Sequence, residues 1–296
     1  MQSAIKHHPL ADAHIVCVGT PSPSLRIINT KIKVWELEDF PRVKQIFEDV
    51  QKNRTYLESL ISIKPSLLIE FQGKANRAEV VVYLDTDLFF FSPLTEFNEQ
   101  HQDSDVIAVQ HMYPKAQTKF PHGRFNAGFI FARKSNQALA ILQRWESLCI
   151  SWCKLSINDG RYADQGYLEE ILSMPKGKGV KSEVVNVGMH YLRRGPRVTD
   201  RRGIPFINEK PLVVFHFHGF GIRGGLIWTG LNRYGFGLRN LKVFKIIYKP
   251  LIAELFKTMK KSGEFKNSEK SNKFKLEAGK VLVRIARKTV IKIPKL

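Results

Sequence analysis

Two aspartates one residue apart, Asp85 and Asp87, interrupt an otherwise apolar stretch of the sequence, VVYLDTDLFFFSPL. A buried carboxylate is costly unless a cation or a hydrogen-bond donor accompanies it. In an extended backbone both side chains point the same way, because strand side chains alternate with a period of two. Carboxylate oxygens suit Mg²⁺ and Mn²⁺, so the pair predicts a divalent metal site that could bridge a diphosphate.

The alternative is a pair of solvated aspartates in a turn, since a D-x-D pattern is common by chance. The flanks favour the metal site, because an apolar run precedes the pair and Leu-Phe-Phe-Phe follows it. Such flanks predict that the two carboxylates lie at the mouth of a core rather than on a solvated face.

Two further segments place polar side chains among glycines. GRFNAGFIFAR holds Asn126 near Gly128, a residue that permits close backbone approach. DGRYADQGYLEEI holds Asp164 and Gln165 at the start of a predicted helix. Each has a structural alternative: the first can be a turn before a strand, and Asp164 can be a helix N-cap.

A third segment, VVFHFHGFGIRGG, ends an apolar strand with His216 and His218, followed by Gly219 and Arg223. A single histidine at a strand end is usually structural, whereas two beside glycines are less common. A neutral imidazole can be the third ligand of Mn²⁺, and an arginine can hold a phosphate.

The periodicity around these segments predicts an α/β fold with a mainly parallel sheet, because strands alternate with helices. The strand at 79–84 is nearly all apolar, which is typical of a strand buried on both faces. Ligands collect at the carboxyl ends of such strands, where Asp85 and Asp87 stand. The predicted strands are 13–19, 32–37, 79–84, 104–110, 124–133, 181–187 and 211–217. The predicted helices are 41–53, 55–71, 135–153 and 163–173.

The 296 residues carry a formal net charge of +20, with 47 Lys and Arg against 27 acids. This balance suggests a phosphate-bearing partner: a nucleic acid, an anionic membrane or a substrate. No motif supports nucleic-acid binding. Three cysteines make no disulfide framework and the N-terminus is no signal peptide, so we expect a cytoplasmic protein with buried free thiols.

The segment 240–296 holds 16 Lys and Arg against four acids. It mixes lysines with Ile, Leu, Val and Phe at helical spacing, which predicts a basic amphipathic helical tail. Such a tail can lie on an anionic membrane, here the inner face of the plasma membrane. A solvated basic extension is the alternative.

The segments YLDTDLFFF, RFNAGFIF, DGRYADQGYL and HFHG, in this order, resemble those of GT-A fold glycosyltransferases. The resemblance is strongest to glycosyltransferase family 8 and to bacterial nucleotide-diphospho-sugar transferases, and it runs from about Arg54 to Arg223. It implies a Rossmann-like GT-A domain over 1–239, a mixed sheet flanked by helices. It also implies an Mn²⁺ or Mg²⁺ site made by Asp85, Asp87 and His216, with His218 as the alternate ligand.

The same resemblance implies the roles of other residues. Gln165 and Asp164 are the catalytic pair, with Gln165 supporting a developing oxocarbenium ion while the leaving phosphate oxygen takes the acceptor proton. The residues implied to contact the donor are Arg54, Lys64, Asp85, Asn126, Gly128, Gly219 and Arg223.

The sequence departs from the family pattern in two places. Arg223 stands one residue beyond the position of the usual lysine after H-x-x-G, and no Pro-Trp follows it. A GT-A domain normally opens with a strand that holds the nucleotide base, whereas this chain opens with LADAH, which resembles a helix end. We therefore expect the first strand and most of the first helix to be missing from this chain.

The resulting prediction is a metal-dependent glycosyltransferase that moves a hexose from a UDP-sugar to a glycan or lipid-linked acceptor with retention. Lipopolysaccharide or another cell-surface glycan is the expected product. A sugar nucleotidyltransferase also uses paired aspartates and a metal, but normally shows a Gly-rich basic loop after its first strand. A catalytically inactive GT-A-like module bound to a membrane is the alternative from a different class.

Overall fold

In a computed structural model of the protein, helices and strands alternate through most of the chain. The structure describes residues 1–21, 31–74, 79–113, 122–158, 160–223, 226–230, 238–262, 282–284 and 290–292. The strands are Ala13–Cys17 (β1), Ile32–Glu36 (β2), Val80–Leu84 (β3), Leu88–Phe90 (β4), Val106–Gln110 (β5), Phe125–Arg133 (β6), Gly177–Val180 (β7), Val198–Arg201 (β8), Ile204–Ile207 (β9), Lys210–Pro211 (β10), Val214–His216 (β11), Gly221–Arg223 (β12), Leu226–Trp228 (β13), Leu282–Arg284 (β14) and Val290–Lys292 (β15). The α-helices are Gln2–His7 (α1), Pro41–Gln51 (α2), Tyr56–Ser62 (α3), Lys64–Lys74 (α4), Thr95–Glu99 (α5), Asn136–Ser151 (α6), Leu168–Ile171 (α7), Met189–Leu192 (α8), Leu238–Val243 (α9) and Lys249–Ser262 (α10).

The main sheet has the order β3-β6-β5-β7. Strand β6 runs antiparallel to both β3 and β5, and only β5 and β7 pair in parallel. A separate parallel pair is formed by β1 and β2. The α/β prediction is confirmed, but the prediction of a mainly parallel sheet is wrong, because most strand pairs in the described residues are antiparallel. An apolar run shows that a strand is buried and carries no information about its direction.

The strand that was predicted to be buried on both faces, β3, is not the most buried strand of the sheet. All five residues of β3 are half-buried, whereas the first eight of the nine residues of β6 are buried. Among the described residues β3 pairs only with β6, so it lies at the end of the sheet, while β6 lies between two strands. The strand that is buried on both faces is therefore β6, the one that carries Asn126 and Gly128.

Helix α6 covers one face of this sheet. It begins after Ser135, whose side chain accepts a hydrogen bond from the Ala138 amide; of the two possible caps in the sequence, Ser135 and Asn136, the structure uses Ser135. Its buried residues Ile141, Leu142 and Trp145 recur at helical spacing and pack in one cluster with β5 and β6. Each fully buried Ile or Leu contributes about 1.5–3 kcal/mol relative to an exposed one.

The predicted helix 55–71 is two helices. Helix α3 ends before Ile63, and Pro65 occupies the first turn of α4, where a missing amide hydrogen costs nothing. Thr55 and Glu58 form a capping box at the start of α3. This break makes Lys64 the first residue of α4, close to Asp85 at the end of β3.

The segment 181–187 was predicted as a strand and contains none. The segment lies alongside β11. The Val213 and Val214 amides donate to Val184 O, and Val187 makes one parallel bridge with Phe215. Strand β11 itself pairs antiparallel with β4, with His216 opposite Leu88. The register brings His216 beside Asp87, the residue before Leu88.

The basic C-terminal segment is helical in its first part. A π-helical turn, Phe244–Tyr248, connects α9 and α10, and its buried Ile247 and Tyr248 pack in one cluster with Phe215 and Phe217. Further along, β14 and β15 are extended where a helix was predicted, consistent with the β-branched residues in both. The domain boundary at 240 stays a prediction. Within the described residues no helix is both long and apolar enough to cross a membrane.

Candidate metal and donor site

Asp85, Asp87 and His216 meet at the ends of β3 and β11. One ligand atom from each lies within 4.8 Å of the other two. The backbone sets this arrangement: the Asp85 amide donates to Gly128 O (2.8 Å), and the Phe217 amide donates to Asp87 O (2.9 Å). The structure thus brings together the three residues that the sequence predicted as metal ligands.

The buried His216 is the histidine of this group. Its Nε2 lies 3.0 Å from Asp87 Oδ1, and its Nδ1 lies 3.0 Å from Asn186 Oδ1. His218, predicted as the alternate ligand, instead stacks on the His216 ring with centroids 3.7 Å apart. Among the described residues, His218 joins no group of potential metal ligands.

The donor set fits a hard divalent cation. Two carboxylates and one imidazole are suitable for Mn²⁺ or Mg²⁺. Gly128 leaves the space for them, because a Cβ there would lie 2.5 Å from His216 Cε1 and 2.6 Å from Asp85 Oδ2. Burial disfavours ionisation of Asp85, yet the cationic Lys64 holds its pKa below the usual value. Asp85 is therefore ionised at neutral pH, as a metal ligand must be.

Lys64 is buried under this group and makes several contacts. Its Nζ lies 2.6 Å from Asp164 Oδ2 and 3.6 Å from Asp85 Oδ1, and it donates to Ala127 O at 3.1 Å. The same ammonium lies 4.6 Å from the centre of the Tyr83 ring, whose hydroxyl donates to Asp85 Oδ1. Burial alone would lower the pKa of Lys64, but the two carboxylates raise it well above the usual value. Lys64 is thus a fixed positive charge between Asp85 and Asp164.

Asp164 and Gln165 lie at the start of a 3₁₀ turn that leads into α7. The Asp164 side chain makes no capping hydrogen bond, so the N-cap alternative is wrong and its carboxylate faces Lys64 instead. The indole of Trp145 donates to Asp164 O at 2.9 Å, which ties the turn to α6. The Gln165 amide nitrogen donates to His122 O, and its Oε1 lies 3.4 Å from His111 Nε2.

Asn126 accepts two hydrogen bonds on one oxygen. The Gly128 amide donates to Asn126 Oδ1 at 2.8 Å, and Asn186 Nδ2 donates to it at 3.1 Å. Sequence reasoning did not select Asn186. The sequence nevertheless holds a signal for it: Asn186 is a polar residue in an apolar run, after two valines and before Val187 and Gly188. Asp85 stands out in the same way after its apolar strand.

Arg54 is tied to a helix end, whereas the donor-binding roles of Gly219 and Arg223 stay predictions. The buried Arg54 donates to Ser62 Oγ and to the Cys149 carbonyl, both at 2.6 Å, and so binds the carboxyl end of α6. Gly219 lies in the turn after β11 at φ +77. Arg223 ends β12, but its side chain lies outside what the structure describes. The thiols of Cys149 and Cys153 are buried and free, as expected.

Three comparisons place these residues among known proteins. A family model described as nucleotide-diphospho-sugar transferase matches residues 39–203, a span that includes Asp85, Asp87, Asn126 and Gln165. The uncharacterized protein YfnD of Bacillus subtilis is 30% identical over 235 residues, which cover 76% of this chain and 72% of that protein.

Solved glycosyltransferase structures also match. The galactosyltransferase LgtC in complex with donor and acceptor sugar analogues matches with a TM-score of 0.47 and 18% identity, over 74% of this chain and 81% of that one. Mouse xyloside xylosyltransferase 1 matches with a TM-score of 0.41 and 13% identity, over 70% of this chain and 83% of that one. Since both TM-scores are below 0.5, the family match alone supports the classification.

Proposed function

Because the chain belongs to the nucleotide-diphospho-sugar transferase family, we propose that it transfers a sugar from a nucleoside-diphosphate sugar to a glycan or lipid-linked acceptor. One observation supports this proposal above the others: Asp85, Asp87 and His216 offer ligand atoms within 4.8 Å of one another, directly beside the buried Lys64. The donor of such a reaction carries a diphosphate, and a cluster of this composition recognises diphosphate through a divalent cation.

Asp85, Asp87 and His216 would hold Mn²⁺ or Mg²⁺. When bound, the cation would neutralise charge on the diphosphate and make the nucleoside diphosphate a better leaving group. The protein's own contribution is the fixed position of the three side chains, set by β3, the β3–β4 turn and β11. Preorganised charges of this kind stabilise a transition state without reorganising during the reaction.

Asp164 and Asn126 would bind hydroxyls of the transferred sugar. Both are buried, and Lys64 contacts Asp164 Oδ2 and Ala127 O, the carbonyl next to Asn126. A buried carboxylate and a buried amide can discriminate between sugars, because a sugar hydroxyl that neither group matches is left without a hydrogen-bond partner. This pair therefore sets donor specificity, while the identity of the sugar as a hexose rests on the family resemblance.

Gln165 would support the positive charge that develops at the anomeric carbon. Its amide orientation is set, because its nitrogen donates to His122 O and its oxygen faces His111. Asp164, the nearest carboxylate in sequence, is ion-paired with Lys64 and is not available as a nucleophile. Retention is what the family resemblance implies, and we propose that it proceeds without a covalent intermediate on Asp164, the leaving phosphate oxygen accepting the acceptor's proton.

The finer assignments rest on the resemblance and on charge. UDP is the proposed nucleotide, and Gly219 and Arg223 are proposed to lie at its diphosphate. The net charge of +20 supports an acceptor on an anionic membrane, approached from the cytoplasmic face, in the synthesis of lipopolysaccharide or another cell-surface glycan. Sedimentation with phosphatidylglycerol vesicles but not with phosphatidylcholine vesicles would support this location, and equal recovery with both would contradict it.

The test of the activity is calorimetric titration of UDP with and without Mn²⁺, followed by UDP release from a panel of UDP-sugars. We expect binding that requires Mn²⁺ and is lost in the double variant Asp85→Asn, Asp87→Asn. Asp103→Asn is the matched control, because Asp103 is an exposed carboxylate paired with Lys178 away from the site.

Three outcomes would contradict the proposal. A folded protein that binds no UDP under any condition lacks a nucleotide site. Release of pyrophosphate from UTP and a sugar 1-phosphate would identify a sugar nucleotidyltransferase. Metal-dependent binding of UDP without turnover of any donor would identify an inactive binding module.

A further inference from the structure

Asn186 is held against β11 by the backbone of the next residue, Val187. The Val187 amide donates to Val214 O (3.1 Å), and the His216 amide donates to Val187 O (2.8 Å). Asn186 itself has a left-handed backbone, φ +54, which asparagine adopts more readily than most residues. Its side chain is buried and points between His216 and Asn126.

Hydrogen bonds connect the Gly128 amide, Asn126, Asn186 and His216 in a row. The Gly128 amide determines which atoms of this row donate and which accept. The Gly128 N–H can only donate, so the Asn126 atom 2.8 Å away is an accepting oxygen. The Asn186 atom 3.1 Å from that same oxygen must then be the NH₂ group. The remaining Asn186 atom is the carbonyl oxygen, and it lies 3.0 Å from His216 Nδ1.

An amide oxygen only accepts, so His216 Nδ1 carries a proton. In a neutral imidazole the lone pair then belongs to Nε2. Nε2 is the atom that lies 3.0 Å from Asp87 Oδ1. The contacts that begin at Gly128 therefore leave Nε2, beside Asp87, as the ring nitrogen that can bind a cation once it is unprotonated.

We propose that Asn186 is a positioning residue for the metal site. It holds His216 in the tautomer that presents Nε2 to a cation beside Asp87, and it joins this ring to Asn126. The inference rests on the proposed function for the identity of the cation and of the sugar. Histidines that bind metals usually donate their other ring N–H to an acceptor, and loss of that acceptor costs about 10–100-fold in metal affinity.

Two substitutions separate the two contacts of Asn186. Asn186→Gly keeps the left-handed backbone without strain and removes both hydrogen bonds. Asn186→Asp keeps an acceptor for His216 Nδ1–H but presents no donor to Asn126. The matched control is Asn208→Gly, because Asn208 also has a left-handed backbone (φ +48), and its side chain donates to Tyr191 Oη instead.

The first measurement is the ¹⁵N chemical shifts of the His216 ring in metal-free protein, which report the tautomer directly. We expect a protonated Nδ1 in the wild type and in Asn186→Asp, whose acceptor holds that proton, and a partly unprotonated Nδ1 in Asn186→Gly. The second is the dissociation constant of Mn²⁺ alone, from the electron paramagnetic resonance signal of free Mn²⁺. We expect Asn186→Gly to weaken it about 10–100-fold and Asn208→Gly to leave it unchanged.

Asn186→Asp is expected to bind Mn²⁺ about as well as the wild type but to have a raised KM for the sugar donor. A wild-type His216 with an unprotonated Nδ1 would overturn the inference, even if Asn186→Gly does not fold. A folded Asn186→Gly with unchanged tautomer and unchanged Mn²⁺ affinity would also overturn it. If the wild type binds no Mn²⁺, the proposed function fails, whereas the tautomer measurement still decides the role of Asn186.

Discussion

The Lys64 ammonium lies 2.6 Å from Asp164 Oδ2, and both side chains are almost fully buried, with 6% and 5% exposed. Two charges in so dry a place have lost their hydration, and each depends on the other to compensate that cost. Asp85, 3.6 Å from the same ammonium, shares it. Lys64 thus links the predicted metal site to Asp164, one of the residues predicted to line the sugar pocket.

Removal of this cation should destabilise the fold. Lys64→Met leaves Asp164 buried without its partner, which typically costs about 3–5 kcal/mol. The free energy of unfolding in urea measures this loss. The double variant Lys64→Met, Asp164→Asn should be more stable than the single one, because it removes the uncompensated charge as well.

A surface ion pair provides the comparison for Lys64. Lys178 pairs with the exposed Asp103, and Lys178→Met should cost only about 0–1 kcal/mol. If Lys64→Met lowers the free energy of unfolding no more than Lys178→Met does, the buried ion pair matters no more for stability than the surface pair.

Gly128 should tolerate no side chain. The Cβ of Gly128→Ala would lie 2.5 Å from His216 Cε1 and 2.6 Å from Asp85 Oδ2, so the two predicted ligands must separate. We expect loss of Mn²⁺-dependent UDP binding in calorimetry. Gly73→Ala is the control, because no heavy atom lies within 4 Å of a Cβ at that helical position. Equal UDP binding by both variants would show that Gly128 is not needed for the geometry of the site.

Gln165 should affect turnover rather than donor binding. If its amide oxygen supports charge that develops only in the transition state, Gln165→Ala should lower kcat about 10²-fold, with little change in the KM for the donor. Steady-state UDP release measures both, with Gln100→Ala as the surface control, since the exposed Gln100 side chain donates to Glu96 within the same helix region. A raised KM with unchanged kcat would assign Gln165 to donor binding instead.

His111 should make stability depend on pH below neutrality. Burial lowers its pKa from 6.5 to about 3, so between these values the unfolded chain holds a proton that the native chain does not. Stability then falls as the pH falls through this window, by at most about 1.4 kcal/mol per pH unit for this one group. His111→Gln keeps a side-chain amide donor near Gln165 and removes the titration.

The measurement is the free energy of unfolding of both proteins between pH 7 and about pH 4. We expect the wild type to lose stability more steeply than His111→Gln, since carboxylates common to both cancel in the difference. Parallel pH profiles would mean that His111 titrates alike in the folded and the unfolded chain.

Some parts of the site were readable from local patterns. Asp85 and Asp87 follow an apolar strand, His216 ends another, and each stands out as a polar residue in an apolar run. An N-cap at Ser135 or Asn136 was recognisable because the interaction is made within one helical turn. Such features depend on neighbours in sequence, and the structure places them as expected.

Other parts depend on contacts that no local pattern specifies. Arg54 was expected at the donor, yet its guanidinium binds the carbonyl of Cys149, 95 residues away. The direction of β6 and the half-burial of β3 follow from the order of the strands, in which β6 lies between two strands and β3 lies at the end of the sheet. An apolar run is compatible with either position. Asn186 was missed because its importance comes from His216 and Asn126, each at least 30 residues distant.

The sequence by itself determined the chemistry available to this protein: two aspartates and a histidine at the ends of apolar segments, together with a lysine and several amides. Side-chain type and period-two alternation were enough for that, because both act over a few residues. Only the tertiary structure decided which of these groups meet. The register of β11 on β4 brings His216 to Asp87, and the chain of hydrogen bonds from Gly128 through Asn126 and Asn186 selects the ring nitrogen that faces the aspartates. Such pairings depend on packing between distant segments, where the free energy belongs to the whole fold rather than to any one stretch of sequence.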